Sequence, residues 1–102
     1  TIGVVATNAR PNKEQANKLA QMAQDGLAMA LRPAHGMGDG DVVFSLATGL
    51  NAPRIRPDVT ALGSLAAEAM ARAIVRAVQQ AQSLAGVPAL RDLVRIPELT
   101  GA

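Results

Sequence analysis

Apolar positions change their spacing several times along the chain. Residues Thr1 to Thr7, TIGVVAT, form a β-branched and small apolar run, the pattern of a strand buried on both faces. Asn8 to Pro11 break it. Asn12 with Gln15 three positions on makes a capping box in which Asn replaces the usual Ser or Thr. Ala16, Leu19, Ala20, Ala23, Leu27, Ala30 and Leu31 then recur at helical spacing, which predicts an amphipathic helix over Lys13–Leu31, stopped by Pro33. Gly26 sits inside that helix at a cost of about 1 kcal/mol against Ala, which implies a close backbone approach. The glycine-rich acidic stretch His35 to Asp41, HGMGDGD, reads as a loop. Val42 to Thr48, VVFSLAT, reads as a second strand ended by Gly49, and Asn51 to Pro57 as a Pro- and Arg-containing connection. A long helix starts near Asp58 or Thr60 and runs to about Leu84, with Gly86 past its end as a stop signal. Its apolar positions include Leu62, Leu65, Ala66, Ala69, Ala73, Ile74, Ala77 and Ala81, against a narrow polar stripe of Glu68, Arg72, Arg76, Gln80 and Ser83. Ala89 to Val94 adds a helical turn or two, and the tail from Arg95 reads as loose.

The order is therefore β-α-β-α in 102 residues, one unit over 1–102. Two strands do not make an independently stable sheet, and these two expect cover on both faces. The chain reads as part of a larger core: it assembles intimately with a partner, or it is one product of a longer precursor.

Composition narrows the function classes. With no cysteine, a disulfide scaffold, a thiolate metal site and a cysteine nucleophile are excluded. No apolar run approaches the roughly 20 residues that span a membrane, and no leader pattern precedes the first strand, so a soluble cytoplasmic protein is the expectation. The isoelectric point of 9.9 suggests nucleic acid at first sight. Yet with no Tyr and no Cys, a formal charge of only +2 suffices to reach it, the arginines are scattered, and no aromatic side chain interleaves them for base stacking. Nucleic-acid binding is not expected.

Three features carry candidate chemistry. Thr1 opens a strand, and a hydroxyl beside its own α-amine suits an N-terminal nucleophile; an α-amine titrates near about 7.7–8.0, close to operating pH. The bland alternative is trimming ahead of a small residue. Asp39-Gly40-Asp41 suits a solvated turn, or an acidic support for the nucleophile. A calcium-loop reading fails because the twelfth position counted from Asp39 is Leu50 instead of Glu. The Gly36-x-Gly38-x-Gly40 spacing echoes a phosphate loop but precedes a strand, where such loops open a helix. His35 is the only histidine and reads as an ordinary loop residue; a zinc site there would have carboxylates alone beside it. Nothing marks a G-x-S-x-G elbow.

TIGVVATNA, the helix QANKLAQMAQDGLAMALRP and GDGDVVFSLATG together resemble the β chain of the DmpA-type (L-aminopeptidase/D-esterase) family, which includes β-peptidyl aminopeptidases, a pantetheine hydrolase and nylon-oligomer (6-aminohexanoate-oligomer) endohydrolases. The resemblance covers about Thr1 to Gly49. It implies a four-layer α/β/β/α sandwich completed by a separate α chain from the same self-cleaved precursor, and a tetramer of such αβ heterodimers. It implies amide hydrolysis through an acyl-enzyme with Thr1 as the nucleophile, Asp39 and Asp41 as its acidic support, and neither metal nor cofactor. A Thr in first place resembles the nylon-oligomer and pantetheine hydrolase branch, with aminopeptidase action as the alternative. Many relatives continue D-G-D-T, where this chain has Val42 and so no hydroxyl. Outside the family, a helical interaction module, or a small-molecule or metal site on the HGMGDGD loop, would also fit the pattern.

Overall fold

The computed structural model describes residues 1–50 and 57–93; the 51–57 connection, up to residue 56, and the tail from Arg95 lie outside them. The elements are β1 (Ile2–Thr7), α1 (Lys13–Ala30), β2 (Val42–Ala47), α2 (Val59–Gln80) and a single helical turn, α3 (Leu90–Leu93). The expected mixed α/β order is present. The chain divides into two compact units, Thr1–Arg72 and Ala73–Ala102.

In the first unit β1 and β2 pair in parallel, Ile2 opposite Val42 through Thr7 opposite Ala47. Parallel neighbours need a crossover, and α1 supplies it. The capping box that starts α1 is complete: the Asn12 side chain accepts from the Gln15 N–H at 2.8 Å, and the Gln15 side chain accepts from the Asn12 N–H at 2.9 Å. Helical geometry ends at Ala30, because Leu31 turns extended ahead of Arg32 and Pro33. Leu19, Ala23, Gly26 and Leu27 form the buried stripe of α1.

The α2 stripe differs from the expected one. Gly63, Ala67 and Met70 are the buried positions, whereas Leu65 stays 63% exposed. Small residues let two helix backbones approach, so close contact selected this face over the larger side chains. Asp58 caps the helix by accepting from the Ala61 N–H at 3.0 Å, and Arg72 pairs with Glu68 along the expected polar stripe at 2.7 Å.

The sheet buries one face only. Gly3, Val5, Thr7, Val43, Ser45 and Ala47 are sheltered to varying degrees, with Val43 in the core; Ile2, Val4, Phe44 and Leu46 on the other face are 78%, 59%, 57% and 55% exposed. The expected cover on two sides is thus provided on one side within this chain.

In the second unit α2 ends at Gln80, short of Leu84, and Gly86 has a different job from the one expected. Leu84 and Val87 exchange both backbone hydrogen bonds across Ala85 (φ 53) and Gly86 (φ 80), a tight two-residue turn with both central residues left-handed. The Ser83 hydroxyl accepts from the Ala89 N–H at 2.7 Å and donates to the Asp92 carboxylate, and the Arg91 guanidinium donates to the Gln80 carbonyl at 2.7 Å. These contacts tie α3 back to the end of α2.

Candidate active site

The site lies where β1 and β2 both begin. Parallel pairing in register brings the residue before β1 beside the residue before β2, so Thr1 stands next to Asp41 although 40 positions separate them. The Val42 N–H donates to the Thr1 carbonyl at 2.9 Å, extending the ladder by one bond and fixing the juxtaposition through backbone geometry. The Thr1 ammonium donates to Asp41 Oδ1 at 2.8 Å. The Asp41 side chain is 11% exposed and that of Thr1 is 35% exposed, so the carboxylate is the sheltered member of the pair.

Asp41 has a second neighbour. His35 Nδ1 stands 3.3 Å from its other oxygen, Oδ2. His35 adopts a left-handed backbone (φ 58), a conformation that His tolerates better than most residues and that directs the loop back toward the strand. The Asp41 carboxyl is held below its ordinary value of 3.8, chiefly by the hydrogen bond from the Thr1 ammonium. Partial desolvation opposes that effect, while the ammonium charge, the Thr1 hydroxyl and His35 reinforce it.

Asp39 is differently engaged. Its Oδ2 accepts from the Gly36 N–H at 2.6 Å while its own N–H donates to the Gly36 carbonyl at 3.0 Å, a reciprocal pair that closes the loop into a turn. Its side chain lines the same cavity as Thr1. The phosphate-loop reading loses its footing here, because the Gly36 N–H is already taken and two carboxylates would repel an anion. Among the described residues no group of three or more His, Asp or Glu side chains converges as a metal ion would require.

A cavity of about 360 Å³ opens at this point, lined by Thr1, Arg32, Pro33, Asp39 and Asp41 among others. The Thr1 hydroxyl, its adjacent amine and a carboxylate oriented on that amine border a space that can admit part of a small molecule. Sequence reading had singled out Thr1, Asp39 and Asp41. His35, read from the sequence as an ordinary loop residue, stands instead against Asp41; its one signal was its position six residues ahead of Asp41 in a glycine-rich loop. Sequence reading also treated Arg32 only as one of several scattered cations.

The model of peptidase family S58 matches residues 1–91. An uncharacterized aminopeptidase of Mycobacterium tuberculosis is 42% identical over 104 aligned residues, covering 91% of this chain and 30% of the relative. One from Mycobacterium leprae is 43% identical over 99, covering 86% and 27%. A 6-aminohexanoate-oligomer endohydrolase of Kocuria sp. is 28% identical over 88, covering 78% and 25%. The chain thus spans about 30% or less of the length of these relatives.

Proposed function

The chain belongs to peptidase family S58, and from that premise we propose that it is the nucleophile-bearing part of an amide hydrolase, with Thr1 forming the acyl-enzyme. The observation that carries this reading is the Thr1 amine held 2.8 Å from Asp41 at the edge of a cavity.

In the proposed reaction the neutral Thr1 amine accepts the hydroxyl proton as Thr1 Oγ attacks the substrate carbonyl carbon. The tetrahedral adduct collapses, the C–N bond breaks, and the leaving amine departs with that proton. The product is an ester on Thr1 Oγ. Water then attacks the ester, giving its proton to the same amine, and the carboxylic acid leaves with the Thr1 hydroxyl restored. Asp41 orients the amine through a charge-assisted hydrogen bond. Asp39 keeps the loop that carries Asp41 in shape.

The rest of the proposal concerns what surrounds the chain. A second polypeptide from the same precursor covers the exposed face of Ile2, Val4, Phe44 and Leu46 with a sheet of its own, giving the α/β/β/α sandwich, and contributes oxyanion donors. Tetramers of such heterodimers are the proposed assembly. For substrate, the relatives at 42–43% identity bear the name aminopeptidase, which favours aminoacyl amides and short peptides. The endohydrolase relative, with the Thr in first place, favours linear 6-aminohexanoate oligomers as the second reading.

The test is the full-length protein carrying Thr1→Ala and Thr1→Ser. The Ala variant should neither self-cleave nor hydrolyse either substrate class, and the Ser variant should keep part of both activities. Full turnover by Thr1→Ala refutes the assignment, and the ratio of peptide to oligomer hydrolysis in the wild type chooses between the two substrates.

A further inference from the structure

We propose that His35 is a positioning residue for Thr1: by occupying the second oxygen of Asp41 it sets how tightly that carboxylate holds the Thr1 amine. The proposal rests on the reading of Thr1 as the nucleophile and adds to it a residue that neither family membership nor sequence pattern singled out.

A base and its partner must be balanced. A carboxylate 2.8 Å from an ammonium orients it but also favours its protonated form, and a protonated amine accepts no proton from the hydroxyl. Asp41 Oδ1 faces Thr1, and Oδ2 faces His35 Nδ1 at 3.3 Å, so the carboxylate charge is divided between two nitrogen groups. Any N–H or positive charge that His35 offers to Oδ2 weakens the hold on Thr1 and pins the carboxylate plane, so that Oδ1 stays pointed at the amine. The arrangement is built into the backbone. His35 adopts its left-handed conformation (φ 58), and the Gly36–Asp39 turn follows at once, with Nδ1 of the half-exposed ring 3.3 Å from Asp41 Oδ2. Arg32 and Asp39 are the other charged side chains on the cavity, and neither is exchanged in a variant at position 35.

The predicted effect follows from the exposure of the pair. His35 is 45% exposed, so its contact with Asp41 is partly screened by water and its effect is modest. Removing it should shift the ascending limb of the pH profile of kcat/KM to higher pH by roughly half a unit, a fall of about threefold at a pH on that limb. The direction follows from Asp41: without His35 its whole carboxylate charge faces the Thr1 amine.

The experiment uses the matured full-length protein with active sites titrated, in wild-type, His35→Gly and His35→Asn forms. Glycine removes the ring without opposing the left-handed backbone. Asparagine tolerates the same backbone and places an amide N–H where Nδ1 stood. The limb should move up in His35→Gly and return at least part way in His35→Asn, with KM little changed. A limb that stays at the wild-type pH in active His35→Gly overturns the proposal. If His35→Gly fails to mature, His35→Asp decides: it tolerates the same backbone and offers Oδ2 no N–H, so the limb must move up, and a limb at the wild-type pH overturns the proposal. Failure of the Thr1 reading is separate, since it would appear as turnover by Thr1→Ala whatever His35 does.

Discussion

Gly26 is the position where two physical effects oppose each other most clearly. A Gly inside a helix is less favourable than Ala by about 1 kcal/mol, so helix propensity alone makes Gly26→Ala stabilising. Packing argues the reverse. Gly26 is buried, and a methyl placed there would overlap the Ala67 carbonyl oxygen and lie 2.6 Å from Met70 Cβ and 3.0 Å from the Ala71 nitrogen. Ordinary carbon contacts lie near 3.5–4.0 Å, so about an ångström of relief is needed. Two of the three obstacles are α2 backbone atoms, which cannot rotate away as a side chain does; the helices must separate. Overpacking of this kind costs about 1–3 kcal/mol, and rigid backbone neighbours place this case toward the upper end. The net expectation is a loss of about 1–2 kcal/mol despite the better helix former. Gly63→Ala is the control. Its methyl would meet the sulfur and methyl end of Met22, which can change rotamer, so the loss should be smaller. Thermal unfolding of the matured protein compares the two. A Gly26→Ala protein as stable as wild type, or more so, would show that propensity outweighs the contact and would refute the reasoning.

Three further outcomes follow from the same geometry. In the proposed self-cleaving precursor the Thr1 nitrogen lies in a peptide bond and cannot act as a base, so Asp41→Ala should slow maturation, followed as band splitting on a gel, more than it slows turnover per titrated site; Asp39→Ala should impair turnover less than Asp41→Ala, because its carboxylate is bound to the Gly36 N–H. Because the Asp41 carboxyl is lowered in the folded protein, its contact with Thr1 is fully present above 3.8 and is lost as pH falls through the lowered value; carboxyl-carbon NMR of Asp41 should show a midpoint below 3.8, and a midpoint at or above it contradicts the contact. Phe44→Glu puts a charge on the exposed sheet face and should abolish the proposed assembly with the second polypeptide, while a soluble, active and normally assembled Phe44→Glu protein would show that this face stays in water.

Local signals were legible and non-local ones were not. The Asn12–Gln15 capping box, the start of α1, both strands and the close approach at Gly26 depend on residues a few positions apart, and each was readable from spacing and residue type. The end of α2 was misplaced because Ala81 to Leu84 remain plausible helix formers; the Ala85-Gly86 turn closes on Val87 and Ser83 is drawn to Ala89 and Asp92, contacts no helical pattern records. The buried stripe of α2 was misjudged for a related reason. Periodicity says which residues share a face, but Gly63, Ala67 and Met70 won over larger side chains through the fit against α1. At the site, residue types pointed to Thr1 and the two acids, yet the division of labour between Asp39 and Asp41 follows from the parallel register. One residue of slip would have put Gly40 or Val42 beside the amine, and two would have put Asp39 there. The contact of His35 with Asp41 was not legible because it is set by a loop fold and not by a motif.

The central claim, that Thr1 Oγ becomes acylated, is tested most directly by trapping the intermediate. The matured protein would be mixed with a slowly deacylating ester or amide, quenched in acid, and this chain analysed by intact mass and fragmentation. The account predicts one acyl group on the chain, localised to Thr1 as an ester, and none at position 1 of the Thr1→Ala protein. An acyl group found on any other residue, with Thr1 unmodified during turnover, would contradict it.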